Sequence, residues 1–203
     1  MTSPHDELST DAYLGPLVEA HGRLHIEPAE DFFQRFVTSI LRQQVSMASA
    51  AATRERLFEA VDVTPTGIRD TDDEVLRDAG LSRQKTRYVN NVAWAFENRG
   101  WSRAFFEGMD DDAVRTELTD VTGVGTWTAN MQLLFSLGRE DVFPVGDLGV
   151  RKGIDTLFDA DLTRAEMIEV AERWRPYRSY ASLYLWRVEE DIAESVAEVV
   201  GED

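Results

Sequence analysis

Apolar positions recur at three- and four-residue intervals along most of the chain, the spacing of one helix face. Ser82 precedes Tyr88, Val92, Ala95 and Phe96, a capped amphipathic helix closed by Asn98-Arg99-Gly100. Thr71-Asp-Asp-Glu74 reads as a capping box before Val75, Leu76 and Ala79, with Gly80 as the stop. Thr163-Arg-Ala-Glu166 reads as a second box. Asp110 to Asp112 suit the positive end of another helix. Trp127, Met131, Leu134 and Phe135 share one face of a helix beginning after Gly125. Tyr180, Tyr184, Val188, Ile192 and Val196 keep a four-residue interval and predict a long last helix. The best strand candidate, Asp141-Val-Phe-Pro144, is short and broken by proline. No repeat or low-complexity linker interrupts the pattern. About ten helices joined by short connections are expected, an all-α fold whose cores form two helical lobes with a groove between them.

Composition sharpens this picture. The chain has 203 residues, 43% of them hydrophobic, with five Trp and ten Phe, enough to bury a core. Its formal charge is −17, which taken alone argues against a nucleic-acid partner. The distribution changes that inference. Residues 1–30 carry −5 and residues 188–203 carry −7, whereas 31–117 carry −3 and 118–187 only −2. Of the 21 basic residues 19 are Arg, the better bidentate phosphate ligand, and two are Lys. This Lys-poor, acid-rich balance resembles proteins of salt-loving organisms. Residues 1–30 are accordingly read as an acidic N-terminal segment joining the helical core, 31–190 as the core and 191–203 as an acidic tail.

Other classes fall away. Cysteine is absent, which removes disulfides, thiolate metal sites and a Cys-ligated iron–sulfur cluster. The three His lie within the first 25 residues and read as surface histidines. No apolar run reaches 18 residues, so no membrane partner is expected. The polar, acidic start is unlike a signal peptide, which makes the cytoplasm the expected location.

The chemistry concentrates in Leu118-Thr-Asp-Val-Thr-Gly-Val-Gly-Thr-Trp-Thr-Ala-Asn130. A helix end meets Gly123-Val124-Gly125, and a second helix starts at once. Such a turn brings backbone amides and a fresh helix N-terminus to one place, a nest for an anion that needs no Lys. A bare Gly-x-Gly is equally an ordinary helix corner. Downstream, Asp141-Val-Phe-Pro-Val-Gly-Asp-Leu-Gly-Val-Arg-Lys-Gly153 sets Asp147 before a helix beginning near Leu148. Asp147 alone would be a plain N-cap.

Taken together and in order, these segments resemble the helix-hairpin-helix (HhH-GPD) DNA glycosylases. Ile40-Leu-Arg-Gln-Gln-Val-Ser46, Gly80-Leu-Ser-Arg-Gln-Lys-Thr-Arg-Tyr88 and the stretch from Arg173 to Trp186 are similar to the alkylpurine branch, the DNA-3-methyladenine glycosylase II family. The resemblance covers about residues 30–190. It implies a monofunctional glycosylase of base excision repair that hydrolyses the N-glycosidic bond of alkylated purines. It implies Asp147 as the catalytic carboxylate and Trp127, Met131 and Trp186 as substrate-binding residues. Gly123, Val124, Gly125 and Thr126 would bind DNA through the hairpin. Gln43 or Gln44 would fill the gap left by an extruded base, and Arg175 and Arg178 would contact phosphates. Backbone carbonyls of Thr119, Val121 and Val124 would hold a monovalent cation, Na+ or K+, with no other cofactor required.

Two departures qualify the resemblance. Bifunctional relatives place a Lys two residues after the second hairpin Gly; here that position is Trp127, so no strand nicking is expected. Met131 stands where the best-known relative has Tyr. That relative's N-terminal β-domain also has no counterpart in the matched region. The expected partner is double-stranded DNA bearing alkylated bases, met by a monomer. Two alternatives stay open on the residues alone: a non-catalytic hairpin module that grips damaged DNA, and a helical protein–protein adaptor.

Overall fold

The computed structural model describes residues 3–188. In chain order its helices are α1 (Pro4–Leu8), α2 (Gly15–His21), α3 (Phe32–Leu41), α4 (Met47–Ala60), α5 (Pro65–Asp70), α6 (Asp73–Asp78) and α7 (Arg83–Asn98). They continue with α8 (Arg103–Phe106), α9 (Asp111–Thr119), α10 (Thr126–Phe135), α11 (Leu148–Phe158), α12 (Arg164–Ala171) and α13 (Arg178–Trp186). A short 3-10 turn, Glu172–Trp174, precedes α13. No strand occurs among the described residues, and Asp141–Pro144 is irregular chain. More helices than the ten or so expected appear among the described residues because α1, α5 and α8 are six residues or shorter. Elements that short do not complete a repeat that a hydrophobic pattern can show.

The chain forms two compact units. One comprises Pro28–Leu137, and the other the described parts of Met1–Glu27 and Gly138–Asp203. In the Pro28–Leu137 unit, α3 packs on α4, α7 and α10. Asp31 caps α3 by accepting the Gln34 N–H at 2.9 Å, and Phe32, Phe33 and Phe36 then enter the core together. They meet Phe96, Trp101 and Phe106 in an aromatic cluster, with Phe36 stacked on Trp101 at 5.8 Å. The single apolar face expected for α10 is corrected: every residue from Thr128 to Phe135 is buried. Its polar members bond inside the unit: Gln132 Nε2 donates to Ser39 Oγ at 2.9 Å, and Asn130 Oδ1 accepts from Arg115 Nε at 2.9 Å.

In the other unit α11 lies against α13, and α1 and α2 also pack on α13. Two glycines set the first approach. A Cβ on Gly153 would lie 2.2 Å from the Leu185 carbonyl oxygen, and one on Gly149 would lie 2.6 Å from Trp186 Cδ1. Tyr184 is fully buried and donates to the Gly22 carbonyl at 2.8 Å, which ties the N-terminal segment to α13. Tyr13 stacks on Phe158 at 4.1 Å.

The cap signals divide. Ser82, Asp110 and Thr163 cap as expected, and the Thr163–Glu166 box is reciprocal. The Thr71–Glu74 box is not formed: α6 starts after Asp72, and the Thr71 hydroxyl donates back to the Gly67 carbonyl at 2.7 Å. The preceding short helix thus takes the hydroxyl that the box needs. The last helix is also shorter than its periodicity suggests. It ends at Trp186 with Val188 in a bend, and Ile192, Val196 and the 191–203 tail lie outside the described residues. No helix among the described residues is long and apolar enough to cross a membrane.

Substituting Gly153→Ala forces a methyl group into the Leu185 backbone. We expect a loss of about 1–3 kcal/mol, the usual range for an overfilled core. Gly125→Ala, whose new Cβ meets nothing within 4 Å, is expected to leave stability almost unchanged. Urea unfolding of the two variants checks the contrast.

Candidate functional site

Asp147 stands at the start of α11. Its Oδ1 accepts two hydrogen bonds, from the Val150 amide at 3.1 Å and from Trp186 Nε1 at 2.8 Å. The carboxylate is therefore an N-cap and also the partner of a buried indole; Trp186 is 5% exposed. The chain reaches it through a tight corner in which the Asp147 amide donates to the Pro144 carbonyl at 2.8 Å. Gly149 leaves room for the indole directly above. Leu148, 60% exposed, is the most open large apolar residue of the described chain and sits beside the carboxylate.

The loop leading to this corner is fixed from below. Ser179 Oγ receives the Val142 amide at 2.8 Å and donates to the Arg139 carbonyl at 2.6 Å. Arg178, only 12% exposed, pairs with Asp141 at 2.7 Å and Glu172 at 2.9 Å. Arg175 shares the same two carboxylates, each at 2.7 Å. The arginine beside it holds the Glu172 carboxyl below its ordinary pKa, and both carboxylates raise that of Arg175. Arg175 and Arg178, expected as phosphate contacts, are paired here with Asp141 and Glu172 and so also anchor the loop before Asp147.

The hairpin lies in the other unit. After α9, the Val121 amide returns to the Leu118 carbonyl at 3.3 Å, and the Val124 amide to the Val121 carbonyl at 3.0 Å. Gly123 turns the chain at φ +106°, where a Cβ would enter the Tyr88 ring at 2.3 Å. Gly125 has ordinary φ (−91°), and its role is openness. No side chain caps α10, and its first ladder bond is Ala129 N–H to the Gly125 carbonyl at 2.9 Å. The amides of Gly125 and Thr126 therefore stand at an exposed helix start, where an anion is favoured. The Val124 amide is bonded within the turn, to the Val121 carbonyl.

A cavity of about 770 Å³ opens beside the hairpin, lined by Gln43, Gln44, Lys85, Tyr88, Trp127 and Thr128 among others. Gln43 donates through Nε2 to the Gly123 carbonyl and to Thr128 Oγ1, both at 3.0 Å. Gln44 is exposed in the left-handed region at φ +57°. Burial pulls the Lys85 amine below its ordinary pKa, and the amine donates to the Leu41 carbonyl. Trp127 is half-buried and Met131 is buried.

Of the expected residues, the structure joins Asp147 with Trp186, and Gln43 with the hairpin. It places Trp127 and Met131 in the Pro28–Leu137 unit and Trp186 in the other. Sequence reading missed Ser179, the anchor of the Asp147 loop, and Asn91, whose Nδ2 donates to the Thr122 carbonyl at 2.9 Å. Neither carries a signal, since a polar residue in a helix looks alike whether it faces solvent or a backbone carbonyl.

Comparison with known proteins follows the same parts. A family model described as HhH-GPD superfamily base excision DNA repair protein matches residues 37–176. A Bacillus subtilis protein named putative DNA-3-methyladenine glycosylase YfjP is 29% identical over 86% of this chain and 64% of its own. Escherichia coli DNA-3-methyladenine glycosylase 2 is 30% identical over 87% of this chain and 64% of its own. The chain thus spans less than two thirds of the length of these two relatives. Among solved structures, Schizosaccharomyces pombe 3-methyladenine DNA glycosylase in complex with abasic DNA superposes with a TM-score of 0.83 at 27% identity. That match covers 92% of this chain and 96% of the other.

Removing the Asp147 side chain deletes a helix cap and strands a buried indole N–H. Asp147→Ala is expected to cost about 2 kcal/mol or more. Asp147→Asn keeps an oxygen acceptor and is expected to cost less than about 1 kcal/mol. Chemical denaturation of the two variants, compared with the parent, checks the difference.

Proposed function

The chain belongs to the HhH-GPD superfamily of base excision DNA repair proteins, and we propose that it is a monofunctional DNA glycosylase acting on alkylated purines. The observation that carries this reading is Asp147, a carboxylate held by an indole and a helix amide in a chain whose other unit carries a hairpin anion nest. In the reaction the bond from C1′ of deoxyribose to the purine nitrogen breaks, and the electron pair leaves with the base. An alkylated purine already bears positive charge, so it departs neutral and needs little acid catalysis. The sugar becomes cation-like, and the Asp147 carboxylate stabilises that charge. Water adds its oxygen to C1′ and loses a proton toward the carboxylate, leaving an abasic site. Fixing Oδ1 in advance spares the site reorganisation as charge develops.

Residues of both units would serve that task. Trp127 and Trp186 offer electron-rich faces to a cationic base, and Met131 adds a polarisable thioether. The base must leave the duplex to be reached, and exposed Gln44 occupies the gap. The Gly125 and Thr126 amides grip a backbone phosphate. Trp127, in place of a hairpin Lys, leaves no amine for a Schiff base, so the product strand stays intact. A monovalent cation at the hairpin would be held by backbone carbonyls. The carbonyls of Thr119, Val121 and Val124 come from one short turn, and the Val121 oxygen, bonded to one amide, retains a second lone pair. Such an ion would add positive charge for a phosphate. The enzyme acts as a monomer on double-stranded DNA.

Asp147→Asn tests the mechanism. Release of methylated bases from alkylated DNA should fall by about 10²–10⁴-fold while the fold persists. Base release equal to that of the parent would overturn the assignment.

A grip made of backbone amides also predicts a shallow salt dependence. The slope of log K against log salt should be about −3 or shallower, since each phosphate neutralised by a Lys or Arg contributes about −0.9. Titrating duplex binding at rising salt measures it, and a slope near about −6 would count against the reading.

A further inference from the structure

Two consecutive carbonyls of the hairpin, Thr122 and Gly123, are each held by a side-chain amide from another element. Asn91 of α7 donates to the first at 2.9 Å, and Gln43, between α3 and α4, donates to the second at 3.0 Å. These bonds fix the carbonyls inside the unit and leave the amides of Gly125 and Thr126 to face outward. The two donors differ in one respect. Asn91 sits in the middle of a 16-residue helix. Gln43 sits in a tight turn, its own amide bonded to the Ile40 carbonyl at 3.2 Å, and its chain neighbour is Gln44 at φ +57°. Gln43 has a second anchor on Thr128 Oγ1, in the first turn of α10. One side chain therefore spans both sides of the hairpin turn and joins them to the residue that projects beside it.

We propose that Gln43 is a positioning residue that couples the hairpin's grip on a DNA phosphate to the insertion of Gln44 into the duplex. The proposal rests on the DNA-binding reading above. When a phosphate settles on the hairpin amides, the Gly123 carbonyl and the start of α10 take one fixed position. Gln43 transmits that position to the turn, so the arrangement that holds the phosphate also favours the Gln44 conformation needed for insertion. Coupling of this kind is reciprocal: a seated Gln44 strengthens the grip by the same factor. Asn91 supports the grip without touching the turn and supplies the internal control.

The test uses the full chain and a duplex carrying 2-aminopurine as the base to be extruded. Anisotropy reads binding, and 2-aminopurine fluorescence in the saturated complex reads extrusion. N91L is expected to weaken binding about two- to tenfold, the effect of one lost hydrogen bond to the hairpin, with extrusion in the bound state unchanged. Q44A is expected to abolish most of the fluorescence rise with a binding loss of less than about fivefold. Q43M, which keeps the length and loses the donor, is expected to reduce both. Q43E, of the same shape, serves as the second variant should Q43M fold poorly, and thermal unfolding confirms each fold. If the Gln43 variants weaken binding alone, as N91L does, or change neither quantity, the coupling is overturned while the function stands. Parent protein that binds no duplex overturns the function and the coupling together.

Discussion

The close approach of α11 to α13 is the constraint on which the placing of Asp147 depends. Gly149 and Gly153 lie one helical turn apart on the face of α11 that meets α13, and neither place admits a methyl group. Only at that separation does the Trp186 indole reach Asp147 Oδ1. The same contact buries the indole, and a buried N–H without an acceptor is costly. Packing and chemistry thus enforce each other: the carboxylate satisfies the tryptophan, and the tryptophan aims the carboxylate. The Arg175, Arg178 and Ser179 contacts hold the loop that delivers Asp147 to this point.

The hairpin follows from the complementary constraint. A turn between two helices exposes unpaired carbonyls at the end of the first and unpaired amides at the start of the second. In this chain the carbonyl side of the turn is met from within, by Asn91 and Gln43, and the amide side of Gly125 and Thr126 is left open. That asymmetry leaves two amides at an exposed helix start, an arrangement that favours an anion. It also explains why the two glycines differ. Gly123 is needed for its left-handed φ and its contact with Tyr88, whereas Gly125 is needed because its outer side must stay clear.

Much of this was legible in the sequence. Helix content, the caps at Ser82, Asp110 and Thr163, the hairpin and the position of Asp147 all depend on local spacing, which one sequence displays directly. What stayed hidden depends on contacts distant in the chain. Thr71 has the right spacing for a capping box, yet its hydroxyl is claimed by Gly67. The pairing of Arg175 and Arg178 with Asp141, more than 30 positions away, has no local signal. Burial all round α10 was invisible because Gln132 and Asn130 read as surface residues, while their partners Ser39 and Arg115 lie on α3 and α9. Periodicity likewise overstated the last helix, since it records which residues face one way and not where the backbone stops.

The acidity of the chain then acquires a different meaning. A net charge of −17 would repel DNA if affinity came from a basic surface. Several arginines are paired with carboxylates, as Arg99 is with Glu117 and Asp120 and Arg178 is with Asp141 and Glu172. These pairs tie parts of the fold together and offset part of the arginines' positive charge. Backbone amides carry no net charge and are not weakened when neighbouring acids accumulate in sequence. Attraction therefore passes from side chains to main-chain dipoles, whose short reach suffers least from salt screening. On the function proposed above, the hairpin amides would hold the phosphate without a basic surface, and the surplus acid lies mostly in the two ends of the sequence.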